Sequence, residues 1–92
     1  MIALKKLFHT KLLTLKDGSY DVFYYEKRYL LSKQTQLNGK LIKLYAKELA
    51  DNDFISLNYY PYVGNGLLRP CEMPEKKVID FVLSMKSEKL QG

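Results

Sequence analysis

Two residues in this chain carry reactivity of their own, and each type occurs once: Cys71 and His9. Cys71 precedes Glu72-Met73-Pro74, and proline is favoured at the first position of a helix. A thiol just ahead of a helix N-terminus can have its pKa lowered by the dipole, and the thiolate is the nucleophile. Glu72 alongside opposes a second negative charge, and no other cysteine is present to resolve a sulfenic acid. A free cysteine is more often a small hydrophobe tucked under such a helix start. His9 has no Cys or Glu at ligand spacing, so neither a metal site nor a cofactor is expected. It reads as a surface histidine on a basic helix.

The other chemistry available is that of contact. Arg28, Gln34, Lys43, Tyr45, Lys47, Asn58 and Tyr60 fall on one side of a predicted sheet. Aromatic rings interleaved with cations suit single-stranded nucleic acid, the rings stacking on bases and the cations meeting phosphate. The Phe-rich signatures of the common sheet-type RNA readers are absent. Leu30, Leu41 and Phe23 share that side and need some cover. The expectation is therefore a face closed by the N-terminal helix or by a second copy.

The elements that must position these residues are strands. Asn38-Gly39 between alternating stretches is a strong hairpin signal, because a type I′ turn needs positive φ at both central residues. It sets Thr35 opposite Ile42, Lys33 opposite Leu44 and Leu31 opposite Ala46. A two-residue turn at Asp51-Asn52 puts Ala46 opposite Leu57 and Leu44 opposite Tyr59. A third at Glu26-Lys27 puts Val22 opposite Leu31 and Tyr24 opposite Tyr29. One side then gathers Val22, Tyr24, Leu31, Ile42, Leu44, Ala46, Ile55, Leu57 and Tyr59, and a one-residue slip in any strand scrambles that sorting.

Around the meander of residues 20–60, residues 1–16 read as a basic amphipathic segment. Leu4, Leu7, Phe8, Leu12 and Leu15 form its expected apolar stripe. Lys11 interrupts the apolar run and no small-residue cleavage site follows, so a signal peptide is not expected. Residues 61–73 read as a loop, with Leu67-Leu68-Arg69 a short extended piece. Residues 74–87 read as a helix with a stripe of Val78, Ile79, Phe81, Val82 and Met85, closed by Lys86, Lys89 and Gly92. The expected fold is α+β in a single domain, residues 1–92. It is an antiparallel meander of three to four strands, the C-terminal helix on its apolar face and an N-terminal helix beside it.

The 92 residues carry a net charge of +5, eight tyrosines and no tryptophan. The basic balance favours anionic partners without demanding nucleic acid. One cysteine allows no intramolecular disulfide, so a reducing, cytoplasmic setting is the expectation. No apolar run approaches the roughly 20 residues of a membrane span.

Gly39 to Leu49, Asp53 to Tyr60 and Leu68-Arg69-Pro70-Cys71-Glu72-Met73-Pro74 together resemble a group of small bacterial proteins of unclear function. Some of these carry a peptide methionine sulfoxide reductase label. The resemblance covers about residues 20–83. It implies Cys71 as the one available nucleophile, recycled by an external thiol. The residues by themselves favour a small non-enzymatic binding module using its Tyr/Lys-rich sheet face, with protein or a second copy ahead of nucleic acid as partner. A single-cysteine redox enzyme and a structural homodimer without ligand are the alternatives.

Overall fold

The computed structural model describes residues 2–86. Helix α1 (Ile2–Thr14) leads into strands β1 (Gly18–Tyr24), β2 (Lys27–Gln36), β3 (Leu41–Glu48), β4 (Phe54–Tyr60) and β5 (Leu67–Pro70), and helix α2 (Glu75–Ser84) follows. The strands form one antiparallel sheet in sequence order, β1-β2-β3-β4-β5. The fold is α+β, as expected. It has five strands, because the extended piece expected at Leu67-Leu68-Arg69 pairs with β4.

The β2–β3 hairpin has the expected register, with Thr35 opposite Ile42 and Leu31 opposite Ala46. Asn38 (φ 56) and Gly39 (φ 87) take the positive dihedrals expected, Leu37 before them is also positive (φ 54), and the Lys40 N–H donates to the Leu37 carbonyl at 3.1 Å. The other two turns differ from expectation. β1 and β2 turn at Tyr25-Glu26, not Glu26-Lys27, with Val22 opposite Tyr29 and Tyr24 opposite Lys27. β3 and β4 are joined by a wider loop, closed by the Glu48 N–H donating to the Asp53 carbonyl, so Leu44 faces Leu57 and Ala46 faces Ile55. Each correction shifts the pairing by two residues. A shift of two preserves the side on which every residue lies, so the sorting of faces survives both errors.

Both helices pack on the apolar side. Phe8 and Leu12 of α1 and Val78, Phe81 and Val82 of α2 are buried against Val22, Tyr29, Leu31, Leu44, Ile55 and Leu57. Tyr24 and Tyr29 close on Phe81 at ring-centroid distances of 4.9 and 5.2 Å. Offset and edge-on aromatic contacts of this kind add to the area they bury. The expected α1 stripe is narrower than its spacing suggests. Leu15 is half-buried, and Leu4 and Leu7 are 51% and 57% exposed.

The two helices run side by side in the same direction, and lysines hold them. Lys5 pairs with Glu75 at 3.1 Å near the start of α2. Lys11 donates to the Leu83 and Met85 carbonyls at its end. Burial, and then Lys86 nearby, lower the Lys11 pKa. Lys33 reaches from β2 to the Leu15 carbonyl beyond α1, and pairs with Asp17 at 3.2 Å. The last carbonyls of a helix lack intrahelical partners, and cations there also complement the dipole. In place of a glycine cap, each helix is finished by a lysine from another element. α2 starts after Pro74, which is its N-cap and not its first residue, and it ends at Ser84. Lys86 is extended, not helical, and exchanges backbone hydrogen bonds with Phe23 on the outer edge of β1. Lys89 and Gly92 lie outside the described residues.

Candidate functional site

With both helices on one side, the opposite side of the sheet is uncovered by any other described element. The expectation that α1 closes it is therefore corrected. Phe8 and Leu12 find the deeper apolar surface beside α2, and the strand residues facing the other way are mostly polar.

Tyr45 stands in the middle of this open face. Its cross-strand neighbours are Ser32 and Ser56, too small to cover a phenol ring, and Tyr45 is 46% exposed. The ring stacks on Phe54 with centroids 6.2 Å apart and planes at 30°. One row along the strands, Lys43 sits between Gln34 and Asn58, with Arg69 beyond Asn58 on β5. One row the other way, Lys47 lies between Leu30 and Phe54. Same-face rows are about 7 Å apart along a strand. Lys43 and Lys47 thus stand one row to either side of Tyr45, Lys47 directly opposite Phe54.

Of the residues expected to share a site, Gln34, Lys43, Tyr45, Lys47 and Asn58 are brought together. Arg28 lies toward the β1 edge, held by Asp21 at 3.3 Å. Tyr60 is half-buried opposite Leu67, at the far end from Arg28. Lys47 donates to the Asp51 carbonyl at 3.2 Å, so its ammonium is already steered toward the β3–β4 loop. Lys43 and Arg69 are exposed, and neither forms an ion pair among the described residues. Phe54 and Arg69 belong to the site and were missed. Phe54 follows a turn that was placed too tightly, and Arg69 lies on a strand with no turn signal to give its register.

Cys71 is exposed, not tucked under α2. Its N–H donates to the Ser56 carbonyl at 2.9 Å, so it continues β5 on the open side, beside the row of Tyr45. Glu72 follows with φ 62, turning the chain toward Pro74. His9 is not a free surface residue either. It is half-buried, and its Nδ1 lies 2.6 Å from the Tyr59 hydroxyl on the helix side of the sheet.

Comparison with family models, with curated proteins and with solved structures returned no match. Among the described residues, no group of His, Cys, Asp and Glu is arranged to hold a metal ion, and no helix is long and apolar enough to cross a membrane.

Proposed function

We propose that this chain is a small non-enzymatic binding module whose open sheet face takes a single strand of nucleic acid. The observation that carries the reading is the Tyr45–Phe54 ring pair at the sheet centre, Tyr45 exposed and Phe54 half-buried, with Lys43, Lys47 and Arg69 around it. A base has an apolar face to stack and a phosphate to neutralise, and this surface supplies a counterpart to each at neighbouring positions. Among the described strand residues of this face Asp21 is the one acid, and it is engaged with Arg28. The same charges argue against the face as a self-association surface, since two copies pressed together would oppose like cations.

The test is fluorescence anisotropy of a labelled single-stranded oligonucleotide across salt concentrations. Neutralising three phosphates gives a log–log salt slope of about −2, at roughly 0.7 per phosphate for single strands. Tyr45→Ala is expected to remove about 1–3 kcal/mol of binding, a loss of roughly five- to 150-fold. Lys43→Glu with Arg69→Glu is expected to flatten the salt slope. Salt-independent binding, or binding unchanged by all three substitutions, refutes the proposal. Equal affinity for an acidic polypeptide with Tyr45→Ala neutral moves the partner to protein.

One observation keeps the redox alternative in view, the exposure of Cys71. On that reading Cys71→Ser abolishes thiol-dependent reduction of methionine sulfoxide. On ours the substitution leaves oligonucleotide binding unchanged.

A further inference from the structure

On the helix side of the sheet, a cleft of about 660 Å³ opens between α1, α2, β4, β5 and the loop before β5. Its size is that of a small-molecule site, and it lies on the opposite side of the sheet from Tyr45. Phe8, Leu68 and Ile79 make its walls apolar. Its polar side chains are basic or neutral: Lys5, Lys6, His9, Tyr59 and Asn65, with no carboxylate among the described lining residues. Lys5 is already paired with Glu75, which leaves Lys6 as the ammonium available to a ligand.

The His9–Tyr59 couple is the built part of this cleft. One proton is shared between Nδ1 and the hydroxyl at 2.6 Å. If the phenol donates, the neutral imidazole keeps an Nε2–H, and if the imidazole donates, the phenol keeps its O–H. In either tautomer one donor remains for a ligand. The backbone is shaped to keep the couple in place. Gly66 has φ 108, and a Cβ there would lie 2.0 Å from the Tyr59 hydroxyl oxygen. Only glycine leaves that hydroxyl where His9 can reach it.

We infer that the cleft binds a small amphipathic carboxylate, its acyl chain against Phe8, Leu68 and Ile79 and its head between Lys6 and the His9–Tyr59 couple. One ammonium and one directional donor match the charge and two oxygens of a single carboxylate. A phosphate, with more acceptors and a second charge, would find too few partners. This inference is independent of the oligonucleotide reading, since the two sites share no residue.

The experiment is an NMR titration of the full chain with decanoate, kept below its micellar concentration, alongside decanol, decyl phosphate and acetate. Saturable decanoate binding is expected, with shifts confined to residues around His9, Tyr59, Gly66, Leu68 and Ile79. Decanol and acetate are expected to bind at least tenfold more weakly. Lys6→Glu, an exposed change that should leave the melting temperature intact, is expected to weaken decanoate at least tenfold. Gly66→Ala is expected to do the same by displacing Tyr59. If Gly66→Ala fails to fold, Lys6→Glu decides alone. Decanol binding as tightly as decanoate, tighter binding of decyl phosphate, shifts centred on Tyr45, or no saturation overturns the inference.

Discussion

Two lysines on neighbouring strands show how much the side of a strand decides. Lys33 is 3% exposed, with its ammonium on the Leu15 carbonyl and Asp17. Lys43 points to the open face and is exposed. Lys33→Ala therefore removes a packed stem, a helix-end hydrogen bond and an ion pair, and is expected to cost about 2–3 kcal/mol in urea unfolding. Lys43→Ala is expected to stay within about 0.5 kcal/mol while weakening oligonucleotide binding. Much of the candidate site was legible at this scale. Gln34, Lys43, Tyr45 and Lys47 follow from alternation and one well-marked turn, and Asn58 from a second turn whose two-residue error kept its side. The His9–Tyr59 couple was not, because its members come from elements that no local signal relates. A buried lysine was readable in principle, since Lys33 alternates in step with Leu31.

Among the elements, α2 is fixed to the sheet by two aspartates as well as by its apolar stripe. Asp53, at the start of β4, accepts from the buried Tyr29 hydroxyl at 2.7 Å and from Lys77 of α2 at 2.6 Å. Asp80 of α2 accepts from Tyr24 at 2.5 Å and from Tyr25 at 3.1 Å. Burial alone would raise the Asp53 pKa, but the hydrogen bonds from Lys77 and Tyr29 outweigh it and hold the carboxyl below its ordinary value. The folded chain thus binds this proton more weakly than the unfolded chain, and acid favours unfolding. The stabilisation is present above the ordinary aspartate value of about 3.9 and is lost as pH falls through the lower folded value. Asp53→Asn is expected to flatten the acid limb of stability below about pH 4, read from urea midpoints. The strands themselves were legible because alternation marks sides. The β1–β2 and β3–β4 registers were not, since Tyr25-Glu26 lacks any residue that favours positive φ and the β3–β4 loop carries several turn formers in a row.

Among the described residues the molecule is one-sided: both helices lie on one layer, and the other face of the sheet is basic and aromatic. The sequence could not place α1, because its lysines and leucines suit either side of the sheet and only the packing beside α2 decides. The edges of the sheet complete the picture. At β1 both backbone groups of Phe23 are taken by Lys86, and β5 is four residues long and ends in Pro70, which has no N–H to offer. Both borders are therefore poor templates for a further strand. Lys86→Pro, which deletes the donor to Phe23, is expected to increase light scattering on incubation while leaving oligonucleotide affinity unchanged. The consequence concerns recruitment and not shape: a protein whose edges are interrupted at Phe23 and Pro70 offers a partner only a short backbone ladder. Side chains on the open face then carry the larger share of any grip, so selectivity can change by substitution at the surface without disturbing the sheet beneath.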